Sequence, residues 1–342
     1  MRFGPVPVEE AVGAISAHTI RAGQVVLKKG SVISGKIAAS LKQAGVETVA
    51  AARLDPGDVG EDEAALQVDE ALAGENVVVE RPSTGRSNLY ARRAGVLVAS
   101  KALVDRINAV DEAITAATLQ AYRPVVDGEM IGTVKIIPFA VPRAALDQVL
   151  AIAVEERSVA VAPYVRRRVA VVSTLLPGLK TSVVTKTLQV LERRLDPAGA
   201  AIVAEVRVPH EAEALCREFV ELRRSAAELI IVFGASAICD RRDVIPAAIE
   251  QAGGRIEHFG MPVDPGNLLL IGSLGDKPVI GAPGCARSPT ENGFDWVLHR
   301  LLAGLAVKRA DITSLGVGGL LMEIVSRPQP RAGGEQIQEK LH

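Results

Sequence analysis

From about residue 164 the apolar positions fall into short blocks that alternate between strand-like runs and helix-like spacing. The pattern predicts strands over 169–173, 201–208 and 229–233, and helices over 181–194, 211–224 and 244–251. Connections between these blocks are short, and such alternation predicts an α/β fold, a mainly parallel sheet with helices on both faces. The strand ends at Ser173, Pro209 and Gly234 then line one edge. Ligands bind outside the carboxyl ends of such sheets, so chemistry is expected on the loops that follow them.

Upstream the pattern is more broken. A strand over 25–27, a turn at Gly30 and a helix over 34–44 ended by Gly45 form a first unit, 1–75. Its charged stretch "RLDPGDVGEDEAALQVDEALAG" reads as a loop leading into a helix, and as the place for a hinge. A middle α+β unit, 76–163, carries the polar turn "RPSTGRSN", a strand over 95–99 and a helix over 101–110. Asp127-Gly128 suits the tight reversal of a hairpin, and a helix over 143–156 closes the unit. The alternating unit spans 164–325, and the polar "RPQPRAGGEQIQEKLH" reads as a loose tail over 326–342.

Composition changes the picture in three respects. A chain of 342 residues, 48% hydrophobic, can fill two or three cores. With 39 Lys+Arg against 40 Asp+Glu there is no global field to hold nucleic acid or an anionic membrane, so neither is an expected partner. No long uncharged apolar stretch or leader-like start occurs, and the three cysteines, Cys216, Cys239 and Cys285, are too scattered for a disulfide framework. The expectation is a soluble, cytoplasmic protein in a reducing compartment.

Three loops then carry candidate chemistry. In "STLLPGLKTSVV", Pro177 and Gly178 turn the chain, and Lys180, Thr181 and Ser182 open a helix whose amides suit a phosphate or carboxylate. The Gly-Lys-Ser/Thr order of a Walker loop is absent, and a plain helix cap with a solvated lysine explains the same residues. In "IIVFGASAICDRRDVIPAAI", Gly234, Ala235 and Ser236 leave room for a ligand at the backbone. Asp240 and Asp243 are close enough in sequence to share a cation, with Arg241 and Arg242 as phosphate partners. Asp243 before a Pro246-containing helix is equally a cap, and the charge run equally a solvated turn. The third loop sets Pro283-Gly284 after a strand and Ser288 at a helix start, with Asp264, Pro265, Gly266 and Asn267 in a turn just upstream. Convergence of several such loops on one rim argues for a site better than any one of them.

The stretch from about 166 to 305 resembles the molybdopterin-binding domain shared by molybdopterin adenylyltransferases, molybdopterin molybdotransferases and gephyrin. "RDVIP" is similar to the family's Arg-Asp-x-Thr-Pro signature, "FGASA" to its Gly-Gly loop, "VDPG" to its Pro-Gly-Lys-Pro turn and "GDKPVIGAPG" to its strand ending in Leu-Pro-Gly-Asn-Pro. "LKKGSVISGKIAASLKQAGVETVAA" resembles the molybdotransferase region that precedes that domain. The resemblance covers about half the chain and implies a three-layer αβα sandwich binding molybdopterin at the carboxyl edge. It implies further that Asp243 is the functional aspartate, with Asp240 beside it, and Mg²⁺ the metal they hold. Thr174, Lys180, Thr181, Ser182, Gly234, Ala235, Ser236, Arg242, Pro265, Gly266, Pro283, Gly284 and Ser288 are the implied pterin-binding positions. A homo-oligomer is implied as well, together with a molybdoenzyme or cofactor-biosynthesis partner.

The departures are specific. Where the family has Ser-Thr-Gly-Asp-Glu-Leu, this chain has Ser173, Thr174, Leu175, Leu176, Pro177 and Gly178, with no acidic pair to bind metal. The second glycine of Gly-Gly is Ala235, the Asp-Ser-Asn of the next helix is missing, and Asn-Pro has become Cys285-Ala286. Two readings therefore stay open. One is an enzyme of molybdenum cofactor biosynthesis, transferring adenylate or inserting molybdate with Asp243 and Asp240 on Mg²⁺ and Lys180 on phosphate. The other is a carrier that binds and hands over the cofactor without chemistry. An unrelated nucleotide-binding protein would need a phosphate fingerprint that the chain lacks. His18, His210, His258 and His299 show no metal spacing. Cys285 reads as a small buried residue, and Arg86, Asn88, Arg92 and Arg93 as a solvated loop patch.

Overall fold

The structure, a computed structural model, describes residues 1–155 and 159–321. The tail expected over 326–342 lies outside the described residues, and the helix expected over 143–156 ends at Ala153, with Val154 as its C-cap. The chain divides into two compact units, Met1–Tyr164 and Val165–His342. Among the described residues no helix is long and apolar enough to cross a membrane.

The first unit begins with strands β1 (Arg2–Pro7), β2 (Ile15–Ser16), β3 (Ile20–Ala22) and β4 (Val25–Leu27), helix α1 (Gly35–Gln43) and strand β5 (Thr48–Arg53). Strands β1, β5 and β2 form an antiparallel sheet, and β3 pairs with β4. Helix α1 starts where Ser34 Oγ accepts the Ile37 N–H, and it ends at Gly45, whose φ of +80° only glycine adopts without strain. There follow β6 (Asp58–Gly60), α2 (Glu61–Leu72), β7 (Val77–Val79), β8 (Arg86–Ala91), β9 (Gly95–Ala99), α3 (Lys101–Asn108), β10 (Ile114–Thr118), β11 (Pro124–Val125), β12 (Met130–Ile136), β13 (Ala140–Pro142), α4 (Arg143–Ala153) and β14 (Val159–Pro163).

Two expectations fail in this stretch. The charged segment after Arg53 is no hinge: Val59, Ala64, Ala65, Val68 and Leu72 share one core with Leu89, Ile131, Val134 and Val149. Asp62, Glu63 and Glu70 of α2 are exposed while its alanine and valine stripe, with Asp69 on it, packs inward, so the helix belongs with the residues that follow it. Asp127-Gly128 turns the chain with Gly128 at φ +79°, but β11 and β12 do not pair with each other. Instead β11 pairs with β9, and β12 lies between β10 and β8.

The second unit follows the alternating pattern closely. Its elements are β15 (Arg168–Leu175), α5 (Thr181–Leu195), β16 (Ala201–Pro209), α6 (Ala212–Arg224), β17 (Leu229–Phe233), α7 (Val244–Gln251), β18 (Arg255–Phe259), β19 (Leu270–Leu274), β20 (Lys277–Ala282), α8 (Gly293–Leu302) and α9 (Arg309–Thr313). The six strands lie in the order β16-β15-β17-β20-β19-β18, parallel from β16 to β20 and antiparallel at β19. All of β17 is buried, as expected for a strand covered on both sides. Ile230 and Val232 face Leu215 and Phe219 of α6 and Ile249 of α7. Phe233, pointing the other way, meets Phe294 of α8 at 6.5 Å between ring centroids. Each such fully buried side chain contributes roughly 1.5–3 kcal/mol.

Candidate functional site at the carboxyl edge of the six-stranded sheet

The chain leaves β15 through α5 to reach β16 on one side, then leaves β16 through α6 to reach β17 on the other. Strand order thus reverses beside β15, and the loops after β15 and β17 diverge there, which opens a crevice at the strand ends. Thr174, Gly234 and Pro283 stand at or just beyond the ends of the ladders, where Ser173 pairs with Phe233 and Phe233 with Ala282.

Thr174 ties these ends together. Its buried Oγ1 accepts the Ala235 N–H at 2.8 Å and lies 2.8 Å from His210 Nδ1. His210 is held in turn by its own N–H, donated to the Leu175 carbonyl at 2.9 Å. One hydroxyl therefore fixes the ends of β15, β16 and β17. The neighbouring Ser173 Oγ is buried with no partner among the described residues. We predict that Thr174→Val, which keeps the shape and removes the oxygen, costs about 1–3 kcal/mol in urea unfolding, because a buried amide loses its acceptor. Thr174→Ser restores most of it.

Beside this junction runs a groove of about 400 Å³, lined by Leu175, Leu176 and Pro177 on one wall and by Arg207, Val208, Pro209, His210 and Glu211 on the other. Helix α5 opens near it. No side chain caps α5, no acidic residue sits in its first turn, and Lys180, Thr181 and Ser182 are exposed. The starts of α7 and α8 are different, since Asp243 caps the first and Asn292 with Asp295 forms a capping box at the second. Helix α6 has no side-chain cap either, but Glu213 lies in its first turn and Glu211 at its N-cap, which disfavours an anion. Of these four helix starts, α5 is the one suited by charge to an anion.

The aspartates do not form the expected metal pair. Asp243 Oδ1 accepts the Val244 N–H at 2.7 Å and Oδ2 the Cys239 N–H at 3.1 Å. Asp240 Oδ1 accepts both the main-chain N–H and the Nε–H of Arg242, each at 2.8 Å. The Arg242 guanidinium holds the Asp240 carboxyl below its ordinary range. Both carboxylates are thus spent on local bonds, as the capping alternative expected. Among the described residues no group of three His, Cys, Asp or Glu is placed to hold a metal ion. With these local bonds and no further ligand beside them, the residues do not fit Mg²⁺.

Other expected positions are distributed unevenly. Gly234, Ala235 and Ser236 reach the edge, although a Cβ on Gly234 would meet the Ser236 carbonyl oxygen at 2.6 Å, so this glycine serves the turn itself. Pro265 and Gly266 are buried under the start of α8, where the Gly293 N–H bonds the Pro265 carbonyl at 2.9 Å. Gly266 has φ +142°, and a Cβ there would come within 2.9 Å of Gly293 backbone. Packing accounts for that turn. Pro283 is buried, while Gly284 and Ser288 are exposed. The Cys285 thiol lies 3.7 Å from Asn292 Oδ1.

Two arginines outside the expected positions organise the rim. Arg287 stacks over the Phe233 ring at 5.3 Å and donates to the Gly234 carbonyl at 2.8 Å and to Thr187 Oγ1 at 3.0 Å. Arg194 donates from Nε to Asp295 Oδ1 at 2.5 Å, from Nη1 to the Ala286 carbonyl at 2.9 Å and from Nη2 to the Ser288 carbonyl at 2.7 Å. Arg194 was findable: it continues the Val184, Thr187, Leu191 stripe of α5, where a charge on an apolar face needs a partner. Arg287 had no such signal.

Comparison with known proteins gives little to add to this geometry. A family model described as a domain of unknown function (DUF8806) matches residues 5–53. No curated protein sequence matches the chain. Among solved structures, the protein CinA of unknown function from Thermoplasma acidophilum is similar at 12% identity and TM-score 0.27, over 36% of this chain and 90% of its own. A molybdenum cofactor biosynthesis protein from Pyrococcus furiosus is similar at 12% identity and TM-score 0.25, over 92% of this chain and 65% of its own. The molybdopterin biosynthesis enzyme MoaB from Thermus thermophilus is similar at 16% identity and TM-score 0.27, over 40% of this chain and 97% of its own. At these scores the likenesses carry no argument about what this chain does.

Proposed function

We propose that the second unit is a three-layer αβα sandwich that binds a small anionic ligand of the molybdopterin class at its carboxyl edge and holds it without metal-assisted chemistry. The observation that carries the reading is the groove of about 400 Å³ between the ends of β15 and β16, close in sequence to the uncapped start of α5. A pterin ring needs an apolar wall with a few polar anchors, which Leu175, Leu176, Pro177 and Val208 with His210 supply. Its phosphate needs amides and a cation, which Lys180, Thr181 and Ser182 supply at a helix start. The carrier reading is favoured over the enzyme reading because Asp240 and Asp243 already satisfy local donors. A carrier hands its ligand on, so a molybdoenzyme or a cofactor-biosynthesis protein is the class of partner it serves.

The test is an anaerobic titration of the full chain with molybdopterin, followed by Mg-ATP or molybdate. Saturable binding without turnover is expected, with affinity falling about tenfold in Lys180→Ala as one charge-assisted phosphate contact is lost. Asp243→Ala is expected to leave the affinity unchanged and to lower stability by about 1 kcal/mol, the usual cost of a lost cap. Absence of binding overturns the proposal, and so does turnover that disappears with Asp243.

A further inference from the structure

Strand β16 is one edge of the six-stranded sheet, nine residues long against five for β18 at the other edge. Among the described residues no strand pairs with its outer side. The His210 N–H bonds the Leu175 carbonyl, so by alternation the main-chain groups of Val208, Val206 and Ala204 face β15. Those of Glu205 and Arg207 face outward, away from the sheet. Their side chains share the exposed face and pair with each other at 2.5 Å, with the partly exposed Val203 two residues before.

We propose that a second copy of this chain adds to the sheet at this edge, β16 antiparallel to β16 about a two-fold axis through Val206. In a two-fold antiparallel pair, opposed positions have a constant sum, and only outward-facing residues exchange main-chain bonds. An axis at Val206 sets Glu205 of each copy against Arg207 of the other, twice, with both outward amides bonded. An axis at Glu205 would oppose two carboxylates, and one at Arg207 two guanidiniums, while an axis at Ala204 leaves both charges opposite uncharged residues and one at Val208 sets Arg207 against Pro209, so charge favours the register at Val206. Pro209 has no N–H and ends the ladder, opposite Val203 of the second copy. Because Arg207 and Pro209 also line the groove, the added strand would run along its rim. The pairing does not depend on which ligand the groove takes. The competing account is that Glu205, Arg207 and Pro209 protect the edge from pairing, and it requires that any association be indifferent to these charges.

Sedimentation equilibrium of the full chain over a wide concentration range decides between them. A reversible dimer is expected, weakened about tenfold or more by Arg207→Glu or Glu205→Arg, each of which opposes like charges at two sites. The double exchange Glu205→Arg/Arg207→Glu restores complementarity and is expected to recover the wild-type association. Trp296 fluorescence melts confirm that each variant is folded, and the neutral Arg207→Gln is expected to weaken association less than the reversals. A monomer at every concentration overturns the proposal. So do reversals without effect, or a double exchange that fails to recover.

Discussion

Replacing Arg194 by methionine is expected to lower the stability of the second unit by about 3–5 kcal/mol, the largest effect of any single change considered for it. The guanidinium is nearly buried, as is the Asp295 carboxylate it meets at 2.5 Å. Without it that carboxylate keeps the Asn292 N–H, at 2.8 Å, as a donor but loses its counter-charge. The carbonyls of Ala286 and Ser288 lose their donor as well. A buried charge left unpaired is the costly case, whereas a matched apolar pair is not. Arg194→Met/Asp295→Leu is therefore expected to recover part of the loss, and the double-mutant cycle gives the coupling. Trp296, the sole tryptophan, follows Asp295 in α8, so its fluorescence during urea unfolding reports this unit.

Asp69→Asn should do the opposite in the first unit. Asp69 lies on the buried stripe of α2, fully inaccessible, and among the described residues neither carboxylate oxygen makes a hydrogen bond of good geometry, the nearby Ser87 hydroxyl offsetting only part of the cost of burial. The nearby Ser87 hydroxyl gives its proton to the Glu80 carbonyl at 3.2 Å. Burial pushes the Asp69 carboxyl up from 3.8 to about 6. Between those values the folded chain keeps a proton that the unfolded chain releases. Stability thus falls as pH rises from about 4 to 6, by about 3 kcal/mol in all, and is level above that window. The neutral amide removes this dependence. A gain of about 1–3 kcal/mol is expected at pH 7, trimmed by the buried NH₂ it introduces, with none at pH 4. Tyr90, Tyr122 and Tyr164 are the three tyrosines and all lie in this unit, so tyrosine absorbance follows its melting across pH.

Much of the second unit was legible because its determinants are local. The strand over 229–233 and the helix over 244–251 match β17 and α7 to the residue, since a continuous apolar run and a capped 3.6-residue stripe each fix their own conformation. The placement of α2 was not legible. Its charges dominate the sequence, but its alanines and Val68 face a core contributed by strands well downstream. The hairpin at Asp127-Gly128 failed for a related reason: the turn residues set a local reversal, and strand pairing is settled by all the edges available.

At the candidate site the same division holds. Small residues after each strand, the uncapped start of α5 and the capping capacity of Asp243 follow from residue type and spacing. The sequence also determined that the chain alternates strand and helix past residue 164 and that no acidic pair follows the first of those strands. Only the tertiary structure decided that Thr174 joins His210 and Ala235, 36 and 61 residues away, that Arg287 braces Gly234, and that among the described residues no strand covers the outer edge of β16. It also decided which local donors Asp240 and Asp243 serve, those of Arg242, Cys239 and Val244. A helix or strand responds to neighbours a few residues apart, which a sequence displays. A hydrogen-bond partner or a strand order is chosen among groups that folding brings together from distant segments, and one sequence offers many such pairings of similar local merit.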